Sequence, residues 1–186
     1  VVVRQAIEVI RAHREAGVLT ALKHFPGHGS SRDDSHAGFV DVTGSWSRKE
    51  IEPFARIIEA GACDTVMTAH IFDADLDPSL PATLSPGIIT GILRGELGWD
   101  GVVISDDMQM KAISANFGLK EAIVRAVEAG VDLLTFANNS VFDPAVARTA
   151  AGILKEAVTD GTIPIERIKR SADRIQRLKK RIPALT

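Results

Sequence analysis

One pattern recurs along the chain: a segment with helical spacing, a glycine, and then a short apolar run that ends in polar residues. The apolar runs span residues 18–22, 64–70, 101–106 and 131–136. Runs without polar alternation are typical of strands in a parallel sheet, and the helical segments between them are typical of crossovers. The helical segments are predicted at 2–16, 46–60, 85–97, 119–129, 144–158 and 165–180. The sequence therefore predicts an α/β fold with a parallel sheet covered by helices.

Polar residues gather where each predicted strand ends. They are Lys23 and His24, Thr68 and His70, Ser105 and Asp106, and Asn138 and Asn139. Parallel βα folds place their ligands at this end of the sheet, in closed barrels and in open sheets alike. Four strands are too few to close a barrel, but they could form half of an eight-stranded one.

Length and composition exclude several classes of protein. A chain of 186 residues can form one domain with a sizeable core, and no linker suggests a second domain. The formal net charge of -2 gives no electrostatic basis for nucleic-acid binding. No apolar run approaches the roughly 20 residues that span a bilayer, so no membrane segment is predicted. The single cysteine, Cys63, excludes an internal disulfide framework.

The segment 23–36, KHFPGHGSSRDDSH, holds three of the five histidines and follows a predicted strand directly. A long polar loop at the ligand-binding end of a βα fold favours a functional role over a plain surface loop. Asp34 lies two residues before His36, so its carboxylate can bond one ring nitrogen and raise the basicity of the other. His36 could then act as a general acid and base. An Asp-turn that happens to precede a histidine is an equal alternative from spacing alone.

Three further positions could carry chemistry. Asp106 follows an apolar run directly, where an unpaired buried carboxylate would be costly, so it is expected to be a nucleophile, a metal ligand or an ion-pair partner. Lys23 and His24 would point to opposite faces of a regular strand, and only a twist or bulge would bring both to one cleft. His70 is either a site residue or a structural histidine.

Together these motifs make the family recognisable. The segment Lys23 to Gly29 (KHFPGHG), followed by Asp34, Ser35 and His36, closely resembles the signature of glycoside hydrolase family 3 β-N-acetylhexosaminidases. The blocks MTAH (67–70), PATLS (81–85) and GVVISDDM (101–108) match further family blocks in the family's order. The resemblance runs from about residue 18 to the end of the chain, and the combination of blocks is far more specific than any one of them.

The resemblance implies a TIM-type (β/α)8 barrel, with residues 1–186 as its C-terminal half and about the last four βα units. It implies retaining hydrolysis of terminal N-acetylglucosamine from muropeptides or chitin-type oligosaccharides. Asp106 matches the nucleophile, His36 the general acid/base and Asp34 its orienting partner, while Lys23 and His24 match sugar-binding positions and His70 lines the same pocket. It implies no metal and no organic cofactor.

The same resemblance makes 186 residues look short. We expect a longer enzyme whose remaining half-barrel completes the sugar site, and we expect a cytoplasmic location. Two other functions stay open. One is a metal-dependent hydrolase that uses histidines and an aspartate of zinc-ligand type, namely His24, His28, His36, His70 and Asp106. The other is an inactive remnant that binds sugar.

Overall fold

The computed structural model describes residues 1–31, 38, 40–139 and 142–182. Its main sheet has four parallel strands: β1 (Ala21–Phe25), β3 (Thr65–Thr68), β5 (Val102–Asp107) and β6 (Leu133–Thr135). Their order in space follows their order in the chain. Consecutive neighbours are the arrangement of a βα barrel, because the order of a doubly wound sheet reverses at a switch point. The predicted α/β fold is confirmed, and the sheet has the order of part of a TIM-type barrel.

Helices connect these strands and cover one face of the sheet. The α-helices are α1 (Val2–Glu15), α2 (Glu52–Glu59), α3 (Lys111–Ser114), α4 (Leu119–Ala129), α5 (Val146–Thr159) and α6 (Ile165–Lys179), with a π-helix at Gly87–Glu96 and 3-10 turns at Arg48–Glu50 and Ala82–Leu84. The Ser85 hydroxyl accepts a bond from the Ile88 N–H at 3.1 Å, which caps the first turn of the π-helix. The predicted helix at 46–60 instead begins with a 3-10 turn.

The two faces of the sheet differ in burial. Val66, Val103 and Ser105 are fully buried, whereas their neighbours Met67, Ile104 and Asp106 are partly exposed. Since successive side chains on a strand point to opposite faces, the helix-covered face holds the core and the other face carries Asp106. One contact in this core is the edge-to-face pair of Phe25 and Phe54, with ring centroids 5.2 Å apart.

Three features depart from the sequence predictions. The first strand was expected at 18–22 but begins at Ala21, because the Thr20 N–H and hydroxyl donate to the Asp64 carboxylate. A second, two-stranded sheet pairs β2 (Val40–Asp41) with β4 (Ile71–Phe72) in parallel. The short helix α3 was not predicted. None of the helices in the described ranges is long and apolar enough to cross a membrane.

Aspartates precede the strands at the opposite, amino-terminal end of the sheet. Asp64 lies before β3 and Asp132 before β6, and both side chains are 0% exposed. Asp64 accepts a bond from Arg14 of α1 at 2.8 Å, and Asp132 accepts one from Arg94 of the π-helix at 2.9 Å. These pairs hold helices against the amino-terminal ends of the strands.

Candidate active site

Asp106 lies at the carboxyl end of β5, and its two carboxylate oxygens have different surroundings. Oδ1 accepts the Asp107 N–H at 2.8 Å. Oδ2 is 3.8 Å from Nε2 of His24, too far for a hydrogen bond. The side chain is 21% exposed. Asp106 is therefore a carboxylate with one oxygen anchored by the backbone and one oxygen directed toward a histidine that does not bond to it.

His24 reaches this position because β1 is irregular. Leu22 pairs with Val66 and Phe25 with Thr68, so two residues of β1 stand opposite one residue of β3. Such a bulge breaks the alternation of side chains along a strand. Lys23 and His24 line the same cavity of about 400 Å³, so the bulge predicted as the condition for a shared cleft is present.

This cavity lies beside β1, between α1 and α2, and Asp106 does not line it. His24 is the residue that joins the two places, since it lines the cavity and also faces Asp106. Its ring lies edge-on to that of His28, with centroids 6.0 Å apart. The described part of the site thus has two adjoining parts linked by His24, namely the Asp106 carboxylate and the cavity with its two imidazoles and exposed lysine, and together they are called the cleft below.

Burial lowers the pKa of His24 below its usual range. The Asp106 carboxylate opposes this shift, while the charges of Lys23, His28 and His70 add to it. A lowered pKa makes the imidazole neutral at neutral pH, so it can donate one hydrogen bond and accept another. It also leaves the charge of Asp106 without a cationic partner at His24.

Glu50 is a site residue that sequence reasoning missed. Its carboxylate accepts the Gly29 N–H at 2.8 Å and also the Ser30 hydroxyl. Gly27 has φ +126°, and a Cβ there would come within 2.4 Å of the Glu50 Cβ, so only glycine fits. Glu50 thereby holds the first part of the loop that leads toward residue 36. Nothing in its local sequence, RKE, marks it for this task.

His70 lies deeper than the sequence suggested. It is 1% exposed, and both ring nitrogens have protein partners. Nδ1 is 2.8 Å from the Thr83 hydroxyl, and Nε2 is 2.9 Å from the Asp107 carbonyl oxygen. Of the two alternatives for this residue, the geometry favours a structural histidine over a side chain that lines the open cleft.

Asp34 and His36, the predicted acid/base pair, lie outside the described residues. Among the residues that are described, no group of three His, Cys, Asp or Glu side chains is placed to hold a metal ion. The structure therefore brings together Asp106 with His24, and His24 with Lys23, and it sets His70 behind them.

Comparison with known proteins agrees with the motifs. Residues 1–178 match the glycosyl hydrolase family 3 N-terminal domain. The chain belongs to this family. It is 35% identical to β-hexosaminidase A of Pseudoalteromonas piscicida over 98% of the chain, and 37% identical to a β-hexosaminidase of Tolumonas auensis over 74% of it.

A solved structure of a family 3 β-N-acetylglucosaminidase from Paenibacillus sp. FPU-7 superposes with a TM-score of 0.88 and 42% identity over 100% of the chain. The chain spans 33% of the Pseudoalteromonas protein, 42% of the Tolumonas protein and 36% of the Paenibacillus chain. The family and its barrel-type fold are thereby shown. The assignment of residues 1–186 to the C-terminal half of the barrel stays a prediction.

Proposed function

We propose that this chain carries the catalytic residues of a retaining β-N-acetylhexosaminidase that removes terminal N-acetylglucosamine from glycans. The observation that carries the proposal is the Asp106 carboxylate, which ends a buried strand with one oxygen anchored and the other unbonded to His24. Its placement at the carboxyl end of a parallel sheet agrees with the usual position of βα active sites. The hexosaminidase names of the relatives support the reaction class.

In the first step, Oδ2 of Asp106 attacks the anomeric carbon while the bond from that carbon to the glycosidic oxygen breaks. His36 donates its proton to the departing oxygen, so the leaving group departs as a neutral alcohol. The products of this step are a glycosyl ester on Asp106 and a neutral imidazole. The Asp107 N–H, bonded to Oδ1, fixes the direction of attack.

In the second step, neutral His36 takes a proton from water, and the oxygen attacks the same carbon. The ester bond to Asp106 breaks and the free carboxylate returns. Two displacements at one carbon give net retention of configuration. Asp34 orients the imidazole and stabilises its protonated form through one ring nitrogen. An imidazole in place of the usual second carboxylate is not repelled by an acidic leaving group such as N-acetylmuramic acid.

Lys23 and His24 are proposed to bind the sugar hydroxyls. A neutral His24 can donate one hydrogen bond to a hydroxyl near Asp106 without cancelling the charge that attacks the anomeric carbon. Lys23 is exposed on the same irregular strand and can supply further donors. A half-barrel beyond this chain is proposed to complete the sugar site.

The test is hydrolysis of p-nitrophenyl β-N-acetylglucosaminide by the protein expressed with whatever sequence is encoded on either side of these residues. Asp106→Asn is expected to lower kcat by about 10⁴-fold or more, as loss of one member of a catalytic unit does. Asp173→Asn, an exposed aspartate on α6, is the matched control and retains activity. NMR of the first-formed sugar is expected to show the β anomer.

Other outcomes separate the alternatives. Activity that persists in Asp106→Asn, or α anomer as the first product, contradicts the proposal. Loss of wild-type activity in chelator supports the metal-dependent hydrolase, and binding of N-acetylglucosamine without turnover supports the sugar-binding remnant. Muropeptides or chitin oligosaccharides remain the proposed natural substrates and the cytoplasm the proposed compartment, which cell fractionation tests.

A further inference from the structure

Behind the proposed nucleophile lies a polar network that the reaction itself does not use. His70, Thr68 and Thr83 are each 1% exposed or less, and their side chains bond to one another or to the backbone. The Thr83 hydroxyl oxygen is 2.8 Å from three atoms: Thr68 Oγ1, His70 Nδ1 and the Ala69 carbonyl oxygen. Buried polar networks with satisfied partners hold their elements in one arrangement.

The direction of one bond in this network is fixed by chemistry. The Asp107 carbonyl oxygen has no proton to give, so Nε2 of His70 must carry the hydrogen of the 2.9 Å contact between them. In a neutral ring, Nδ1 is then an acceptor and takes the proton of the Thr83 hydroxyl or shares it with the Ala69 oxygen. The Asp107 carbonyl oxygen therefore selects the tautomer of His70, and Thr83 supplies the partner of the other ring nitrogen.

The backbone of Asp107 connects this network to Asp106. Its own N–H donates to Oδ1 of Asp106 at 2.8 Å, while its carboxylate accepts the N–H groups of Gln109 and Ala137 at 3.1 and 3.0 Å. Asp107 is 8% exposed and thus joins the end of β5 to the segment that follows β6. His70 follows β3, so its bond to the Asp107 carbonyl oxygen connects that segment to Asp107 as well.

We propose that His70 is a positioning residue for the nucleophile, acting through the Asp107 backbone. The Asp107 N–H and C=O belong to two successive peptide groups that share the Asp107 Cα. By holding the carbonyl oxygen, the imidazole restrains this residue, which keeps its N–H aligned on Asp106 Oδ1 and leaves Oδ2 directed toward His24. Attack on the anomeric carbon requires a near in-line approach, and displacement of a reacting group by about 1 Å can cost about 10²-fold in rate. The proposal rests on the proposed function, because it gives Asp106 a nucleophilic task.

Two substitutions of His70 separate its two bonds. Gln places a donor near the position of Nε2 and can still reach the Asp107 oxygen, whereas Asn places its amide near Nδ1 and cannot. In the protein with its flanking sequence, His70→Asn is expected to lower kcat/KM by about 10²-fold. His70→Gln is expected to retain about tenfold more of it than His70→Asn, the value of one hydrogen bond. KM should stay within about twofold, since His70 is too buried to touch substrate.

The leaving group gives a second readout. Misplacement of Asp106 slows attack on every substrate, so His70→Asn should lower kcat/KM by the same factor for dinitrophenyl and methyl glycosides. Loss of a general acid would instead affect the methyl glycoside far more. His13 on α1 provides the control pair: it is exposed and its ring bonds to the Val9 carbonyl oxygen of its own helix, so His13→Asn and His13→Gln should match wild type.

Thr83 tests the network with His70 in place. Thr83→Val removes the hydroxyl and should lower kcat/KM by about tenfold, whereas Thr83→Ser should match wild type. Equal kcat/KM in His70→Asn, His70→Gln and wild type overturns the proposal, as does a loss that disappears when rates are corrected for the folded fraction. Failure of the proposed function is a separate result, because it shows as activity in Asp106→Asn whatever His70 does.

Discussion

The aspartates at the two ends of the sheet have opposite surroundings. At the amino-terminal end, Asp64 and Asp132 are 0% exposed, and each accepts bonds from arginine side chains. At the carboxyl end, Asp106 is 21% exposed, and among the residues that the structure describes it accepts one backbone N–H and faces a histidine 3.8 Å away. The same side chain is thus fully paired at one end and only partly paired at the other.

Asp132 shows how complete the pairing is. Its Oδ2 accepts bonds from Arg94 and the Val103 N–H at 2.9 and 3.0 Å, and its Oδ1 accepts the Ser171 hydroxyl at 2.5 Å. Arg167 and Arg174 of α6 lie 3.4 Å from the same oxygen. A buried carboxylate with this many donors ties helices to a strand, whereas a carboxylate kept short of donors can attack a substrate. Within one sheet, the aspartates at the amino-terminal end therefore stabilise the fold, while the aspartate at the carboxyl end is left able to react.

The strongest test of this contrast is Asp132→Asn. The substitution leaves Arg94 and Arg167 largely buried without their anion, and loss of one partner from a buried pair typically costs about 3–5 kcal/mol. We expect the free energy of unfolding, measured by urea denaturation at neutral pH, to fall by that amount. The exposed Asp173→Asn is the control. A fall no larger than the control's would remove the stabilising role of the amino-terminal end.

Asp64 adds a prediction about pH. Burial would raise the pKa of this carboxyl, but bonds from Arg14 and Thr20 outweigh burial and hold it below the ordinary 3.8. A carboxyl with a depressed folded-state pKa stabilises the protein above its unfolded pKa, and this stabilisation is lost as pH falls through the folded value. Asp64→Asn should cost about 1–3 kcal/mol at neutral pH. The difference from wild type should shrink between about pH 5 and pH 2.

The measurement is urea unfolding of both proteins across that range of pH. A constant difference between wild type and Asp64→Asn down to about pH 2 would mean that ionisation of Asp64 adds nothing to stability. Asp173→Asn is the control and should run parallel to wild type throughout, because Asp173 is exposed on α6. Arg181 also contacts Asp64, so Arg181→Gln should weaken the pH dependence without abolishing it.

The sequence was informative where a pattern is local. Apolar runs and glycines predicted the strands and the parallel sheet, and Asp106 was singled out by its place at the end of an apolar run. Bonds between residues distant in the chain were not predictable in this way. Glu50 reaches Gly29 across 21 positions, and no periodicity encodes such a contact.

His70 is a second case in which contacts with distant residues could not be predicted from the sequence. Its motif pointed to the site, but the motif could not say whether the ring faces the cleft or the interior. That choice depends on Thr83 and on the Asp107 carbonyl oxygen, 13 and 37 positions away, which together satisfy both ring nitrogens. The π-helix likewise escaped prediction, because its apolar spacing resembles that of an α-helix.

Near the carboxyl end of the sheet, Glu50→Gln tests whether the bonds of Glu50 to Gly29 and Ser30 support activity by holding the loop, rather than the stability of the fold. Gln keeps the size of Glu50 but has no charge and only one accepting oxygen, so the bond to Ser30 must reverse its direction and both bonds lose the contribution of the charge. We expect kcat/KM to fall by about tenfold and the free energy of unfolding by no more than about 1 kcal/mol. The exposed Glu59→Gln on α2 is the control. A larger loss of stability than of activity would assign Glu50 to the fold.

The smallest expected effect comes from the substitution with the largest effect on turnover. Asp106→Asn should change the free energy of unfolding by less than about 0.5 kcal/mol, or raise it slightly. The Asn carbonyl oxygen can still accept the Asp107 N–H, and among the described residues the basic group that faces Asp106 is His24 at 3.8 Å rather than an arginine. Urea denaturation of Asp106→Asn beside Asp132→Asn makes the comparison direct. Equal losses in the two variants would show that Asp106 is as structural as Asp132, and the division between the two ends of the sheet would fail.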